Sequence, residues 1–346
     1  MLNIRKFLLL LINLFILSAC TSNQTNLLDA PHRETKFLLG TVVSLSVYDA
    51  DKGYVIDKAL ERIEQLEYML SDEIESTEVD QINQNAGIAP VQVSEELYYL
   101  IEQSIEYGEL SDGGFDATIG PLTNLWRIGY DDARKPTADE INQVLPLIDD
   151  KKIELDDESK SVFLIEESMQ LDFGAIAKGF ITDQIHEYFI EEGVTSAIID
   201  LGGNIFVMGQ RPQGGKWNVG IQNPFLARGE IIGRISVSDQ SVVTSGIYER
   251  YLEVDDVQYH HLLNPNTGYP FDNEIAGVSI VSDASIDGDA LSTVVFTKGL
   301  ENGKAFIESF QGAEAIFITK EHQVILSSGL VDIFELTNDH FELITE

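Results

Sequence analysis

Apolar positions along the chain switch between two spacings, and the switches mark out the elements. Residues 37–48 alternate apolar and polar side chains, the period of a half-buried strand. In residues 53–70, Ile56, Leu60, Ile63, Leu66 and Leu70 recur every three or four positions, which predicts an amphipathic helix with Glu61, Glu64 and Glu67 on its wet face. Residues 71–89 carry few apolar side chains and read as loop, with a short helix around 79–82. Ser94 followed by Glu95 and Glu96 predicts a capped helix running through Leu97, Leu100, Ile101 and Ile105 to Gly108. The capping-box spacing of Thr137 and Glu140 starts a shorter one.

Residues 161–165 and 169–173 read as two strands, and the second runs into Gly174. A helix follows, with Ile181, Ile185, Tyr188 and Phe189 on one face and a stop at Glu191-Glu192-Gly193. Residues 196–208 form two strand pieces separated by Gly202-Gly203. Further strands are predicted at 217–221, 231–237, 241–244, 251–254 and 276–281, a helix from about 286, and a hairpin from 315–319 and 323–326. Strands outnumber helices and often follow one another directly, so the expected class is α+β with a largely antiparallel or mixed sheet. No low-complexity linker interrupts residues 35–340, and no short-period repeat is present.

Charge narrows the partners. The 346 residues hold 22 basic and 58 acidic side chains, a net of −36. Arg5 and Lys6 are the only charges ahead of Cys20, so without them 20 basic residues face 58 acidic ones, a net of −38. A nucleic-acid partner is excluded, because most of this surface repels a phosphate backbone. A small anion is admissible only where a local cation overrides the field. Residues 1–19 have the form of an export signal: Arg5-Lys6, an apolar run interrupted by Asn13, then Leu17-Ser18-Ala19 before Cys20. That ending resembles a bacterial lipobox, and Cys20 is the only cysteine, so no intramolecular disulfide is possible. The expectation is a protein lipidated at Cys20, held at the cell membrane on its extracytoplasmic side, with residues 20–34 as tether and 35–346 as one domain.

Three places carry candidate chemistry. The first is 171–180, where Asp172 and Gly174 lead into a helix with Lys178 in its first turn. A helix N-terminus with a lysine suits an anion such as phosphate, although G-x-x-x-x-G-K-[ST] is absent and a plain strand-to-helix turn explains the residues equally well. The second is Asp289 and Thr293, four apart on one helix face, either a hard-cation pair or a local cap with a packed threonine. The third is His260-His261 beside a turn, of which one ring must face away from any site. Gly113-Gly114 ahead of Phe115-Asp116 suggests close backbone approach or an ordinary turn.

The order of these segments is more specific than any one of them. Leu39-Gly40-Thr41, residues 114–122, residues 171–179, Thr244-Ser245-Gly246, residues 261–270 and residues 289–293 succeed one another as they do in the ApbE family, the FAD:protein FMN transferases, which this chain resembles over nearly all of its length beyond residue 37. The resemblance implies a T-fold-like α+β architecture with mixed or antiparallel sheets packed against helices. It implies FAD as substrate, Mg²⁺ as cofactor, and transfer of FMN to a threonine hydroxyl of an exported acceptor flavoprotein with release of AMP. By position, Ala175, Asp289 and Thr293 would hold the metal. Leu39 (where relatives usually have methionine), Gly114, Phe115, Asp116, Asp172, Lys178 and His261 would contact FAD, and His261 would also serve catalysis. Glu73 falls where relatives often place an aromatic or other flavin-contacting residue. Two other activities use the same residue types: a Mg²⁺-dependent FAD pyrophosphatase, and a flavin-binding lipoprotein without catalysis.

Overall fold

A computed structural model describes residues 26–71 and 74–344. The export signal, Cys20, the first part of the tether and Glu73 lie outside the described residues.

The chain opens with a hairpin, β1 (Leu27–Leu38) and β2 (Thr41–Asp49), so two expectations change. Residues 37–48 are not one strand: Leu39 and Gly40 take left-handed φ values of 55° and 64°, closing a two-residue turn between the paired Leu38 and Thr41. Nor is 27–34 tether, since β1 pairs with β2 back to Leu27. As an edge strand β1 exposes much of its length, and its order comes from pairing, which leaves no apolar period to read.

Helix α1 (Val55–Leu70), α2 (Glu78–Gln84) and α3 (Glu95–Leu110) follow, and the Ser94 hydroxyl accepts the Leu97 N–H as its position predicts. A small sheet, in the order β3 (Val91–Gln92), β5 (Ser161–Leu164), β4 (Ile153–Asp156), stands beside them. Between β3 and β4 lie α4 (Gly120–Trp126) and α5 (Ala138–Val144), the latter starting on a complete Thr137–Glu140 capping box. Around them Leu122, Trp126, Ile141 and Leu263 form a satellite core. The predicted strand at 169–173 is absent. Its backbone is spent on the loop before α4, with the Gly120 N–H on Gln170 O at 3.2 Å and the Asp172 N–H on Ala117 O at 2.8 Å.

The second half supplies α6 (Ala177–Glu191), β6 (Ala197–Leu201), β7 (Asn204–Met208), β8 (Trp217–Gln222), β9 (Ile231–Val237) and β10 (Gln240–Gly246). It continues with the hairpin β11 (Tyr251–Val254) and β12 (Val257–His260), then β13 (Ile275–Ser282), α7 (Ser285–Ser309, broken at Gly299, whose φ of 75° and ψ of 174° are not helical), β14 (Ala313–Thr319), β15 (Gln323–Leu326), β16 (Phe334–Leu336) and β17 (Glu342–Ile344). Nine strands form the main sheet in the order β1-β2-β6-β7-β10-β13-β14-β15-β17, antiparallel except for β15 and β17. Helices α1, α6 and α7 cover one face through Leu45, Phe206, Val278, Ile280 and Phe317. The β16-β9-β8 sheet covers the other through Val207, Val281, Ile316 and Ile318. The central strand β13 is therefore buried at every position.

Helices α6 and α7 run antiparallel at close range. A Cβ on Gly179 would stand 2.7 Å from Ile286 Cα and 2.8 Å from Asp289 Cβ, closer than real Cβ atoms approach. Gly179→Ala is expected to push the helices apart and destabilise the protein by about 1–3 kcal/mol, the usual cost of overpacking; urea unfolding curves that superimpose on wild type would refute this.

Candidate active site

The turn into α6 is built by Asp172. Its carboxylate accepts the Gly174 N–H at 2.7 Å and the Thr123 hydroxyl at 2.7 Å, bending the chain where an extended segment becomes a helix. Lys178 follows in the first helical turn. Its Nζ lies 3.5 Å from Asp289 Oδ1 and 3.5 Å from the Gly174 carbonyl. Asp289, only 3% exposed, accepts the Gly179 N–H on its other oxygen at 2.9 Å. Gly179 is the third residue of α6, so its N–H is one of the first-turn donors that has no carbonyl of its own helix to meet, and Asp289 satisfies it. Thr293 stands one turn beyond Asp289, and among the described residues its hydroxyl has no protein partner.

The Gly114–Asp116 segment reaches the same place from α3. Gly114 is needed for packing, since a Cβ there would come within 2.8 Å of Thr297 Cβ on α7. Asp116 is turned partly into the protein: its Oδ1 accepts the Thr118 N–H at 2.7 Å and hydroxyl at 2.6 Å, and its Oδ2 the Asp150 N–H at 3.2 Å. Burial outweighs these bonds and holds the carboxyl above its ordinary pKa. At the opposite rim the Leu39 N–H donates to Glu67 Oε1 at 2.7 Å, which fixes the β1–β2 turn.

The two adjacent histidines part company. His260 points into the core, edge-on to Phe296, with Nε2 2.9 Å from the Phe271 carbonyl. His261 lines the cleft, with Nδ1 3.2 Å from the Arg250 carbonyl. Burial pushes both rings down to about 4. A neutral His261 facing a carbonyl carries its proton on Nδ1, so its Nε2 presents a lone pair.

All the predicted site residues within the described part of the chain line one cleft of about 1120 Å³: Leu39, Gly114, Phe115, Asp116, Asp172, Ala175, Lys178, His261, Asp289 and Thr293. Arg228 and Arg250 line it too, and sequence reasoning missed both. Arg228 is held by the Gly202 carbonyl at 2.6 Å and by Glu249 at 3.6 Å. Neither arginine sits in a recognisable motif, and only folding carries them to the rim. With Lys178 they bring positive charge into a cleft of a chain whose net charge is −36.

These features define a class: an α+β protein that gathers cations, a buried carboxylate and a neutral imidazole along one deep cleft. The chain belongs to the ApbE family, which residues 39–317 match. It is 38% identical over 291 residues to the FAD:protein FMN transferase of Klebsiella pneumoniae, covering 84% of this chain and 90% of that one. It is 36% identical over 329 residues to the FAD:protein FMN transferase of Treponema pallidum, covering 90% and 91%. The crystal structure of the ApbE protein from Thermotoga maritima superimposes with a TM-score of 0.79 at 30% identity, over 86% of this chain and 97% of that one.

The imidazoles set a pH expectation. In the unfolded chain a histidine titrates near 6.5, whereas both folded rings stay neutral to about 4. Between these values the unfolded state binds protons that the native state does not, so the pair's contribution to stability is complete above about 6.5 and is lost as pH falls toward 4. NMR of labelled histidine rings should show His261 neutral through pH 5.5, and a midpoint near 6.5 would contradict the neutral assignment.

Proposed function

We propose that the protein is a FAD:protein FMN transferase that moves FMN from FAD to a threonine hydroxyl of an exported acceptor flavoprotein and releases AMP. The observation that carries the reading is the convergence of Lys178, Asp289, Thr293 and His261 in one cleft large enough for a dinucleotide. In the reaction the threonine oxygen attacks the phosphorus on the FMN side of the pyrophosphate. The bond from that phosphorus to the bridging oxygen breaks, and AMP departs with the bridging oxygen. His261 Nε2 takes the hydroxyl proton, and the Arg250 carbonyl holds the tautomer that makes this possible. Lys178 places positive charge beside the pyrophosphate, and Asp172 holds the turn that presents it.

The donor set fits Mg²⁺. The Asp289 carboxylate, Thr293 hydroxyl and Ala175 carbonyl are all hard oxygens, and among the described residues no protein donor occupies the Ala175 carbonyl. Among the described residues no group of three or more His, Cys, Asp or Glu side chains could hold a metal unaided. Mg²⁺ commonly takes one or two carboxylates and completes its shell with water and substrate phosphates. When bound, it supplies neutralisation of the pyrophosphate charge.

Incubation with FAD, Mg²⁺ and an exported flavoprotein domain should yield a covalently fluorescent acceptor band and AMP. AMP without a labelled acceptor would favour the pyrophosphatase reading. His261→Ala should slow transfer about 10²- to 10⁴-fold, the usual range for a general base, with FAD still bound. Near-normal turnover would remove His261 from the mechanism.

We also propose that Cys20 anchors the protein by lipid to the cell membrane, on the side where an exported acceptor is found. The basic, apolar and small-residue succession of residues 1–20 supports this. Cys20→Ala should abolish palmitate labelling and move the protein to the soluble fraction; retention of label would refute the anchor site.

A further inference from the structure

Neither of the two site helices caps itself. The N-cap positions of α6 and α7 are Ile176 and Ala284, and neither side chain accepts a hydrogen bond from its own helix. Each helix is capped instead by an aspartate from the second turn of the other. Asp289 of α7 accepts the Gly179 N–H of α6 at 2.9 Å. In return, Asp183 of α6 accepts the Ser285 N–H at 2.7 Å and the Ile286 N–H at 2.8 Å, the first two of α7. The spacing is similar on both sides: Asp183 lies four residues beyond Gly179, and Asp289 lies four beyond Ser285 and three beyond Ile286. The two links thus close a ring across the antiparallel pair.

Other contacts tighten the Asp183 end. The Ser285 hydroxyl donates to Asn204 Oδ1 at 2.6 Å, and the Tyr107 hydroxyl reaches Asp287 at 2.5 Å from α3. Asp183 is not among the residues lining the cleft, so it has no route to the substrate. Its influence passes through α7.

We infer that Asp183 is a positioning residue for the metal: by capping α7 it holds Asp289 and Thr293 in register with Ala175 and Lys178. The inference rests on the reading of Asp289 as a Mg²⁺ ligand. Removing the carboxylate strips the partner from two N–H groups at the start of α7, which leaves them to fray or to seek water. Asp289 lies one turn away, and a shift of that turn changes its distance from the Ala175 carbonyl. FAD contacts on the β1–β2 turn, on 114–116 and at Asp172 belong to other elements. Metal affinity should therefore suffer before flavin affinity does.

The test uses the full chain and three variants: Asp183→Asn, which preserves shape, Asp183→Ala, and Asp289→Ala as a reference. Free Mn²⁺ is counted by EPR during titration in the presence of FAD, and FAD binding without metal is followed by flavin fluorescence. Asp183→Asn is expected to weaken Mn²⁺ binding roughly 10- to 100-fold, the cost typical of losing a partner that orients a metal ligand. FAD affinity without metal should stay within about twofold, a far smaller change. The Mg²⁺ concentration giving half-maximal AMP release should rise in step, with the rate largely recovered at saturating Mg²⁺. Asp183→Ala should show the same split, and thermal unfolding will show whether it remains folded; Asp183→Asn decides the matter if it does not. Unchanged Mn²⁺ affinity in Asp183→Asn, or an equal loss of FAD affinity, would overturn the inference while leaving the metal site intact. Unchanged Mn²⁺ affinity in Asp289→Ala would overturn the metal reading and the inference together.

Discussion

The site depends on the contact between α6 and α7. Two helix N-termini, each a source of unpaired N–H groups and partial positive charge, lie beside each other's aspartates at hydrogen-bond range. The approach is close enough to require glycine at position 179. One geometric choice has two chemical results: it buries a carboxylate next to a lysine, and it gives a partner to a first-turn N–H that its own helix leaves unpaired. The oxygens assembled this way are held by backbone at both ends. Rigid elements give such a constellation better precision than loops would.

The sheet makes that contact possible. With β13 buried on both faces, the layer beneath α6 and α7 is largely apolar from β2 to β14, interrupted at β10, where the Ser241 and Ser245 hydroxyls pair with Ser285 and Ser292 of α7. The third layer, β16-β9-β8, covers the far face, so the main sheet presents no second wet surface on which the helices could settle. The cleft lies where the helix N-termini meet the β1–β2 turn, the 114–116 loop and the β10–β12 region. Its lining sets three cations among the carboxylates of Glu67, Asp116, Asp172, Glu249 and Asp289. Lys178, Arg228 and Arg250 come from three separate parts of the chain, and a phosphate-bearing ligand meets local positive charge inside a strongly acidic protein.

Local chemistry was legible wherever the cause was local. The Ser94 cap and the Thr137–Glu140 capping box depend on residues three apart, and both formed as their spacing predicts. The 3.6-residue period of α1 and the Gly202-Gly203 break between β6 and β7 were equally plain. Failures came where pairing or packing overrode local preference. Residues 169–173 have strand-like alternation, yet their backbone serves the loop before α4. Residues 27–34 have little apolar pattern, yet β2 holds them as an edge strand. The close backbone approach suggested at Gly114 is present, and the neighbour is Thr297 of α7.

The family order of motifs picked out the candidate site residues, and it could do so because it is a property of the chain alone. The sequence also determined the period of α1, the Ser94 and Thr137 caps and the chain's acidity, all of which arise among near neighbours or from composition. Tertiary structure decided which histidine faces the cleft, which carbonyl sets its tautomer and which arginines line the rim. It alone revealed that Asp183 and Asp289 cap one another's helices, since residues 183 and 285 are brought together only by the antiparallel packing of α6 on α7 over a shared apolar floor.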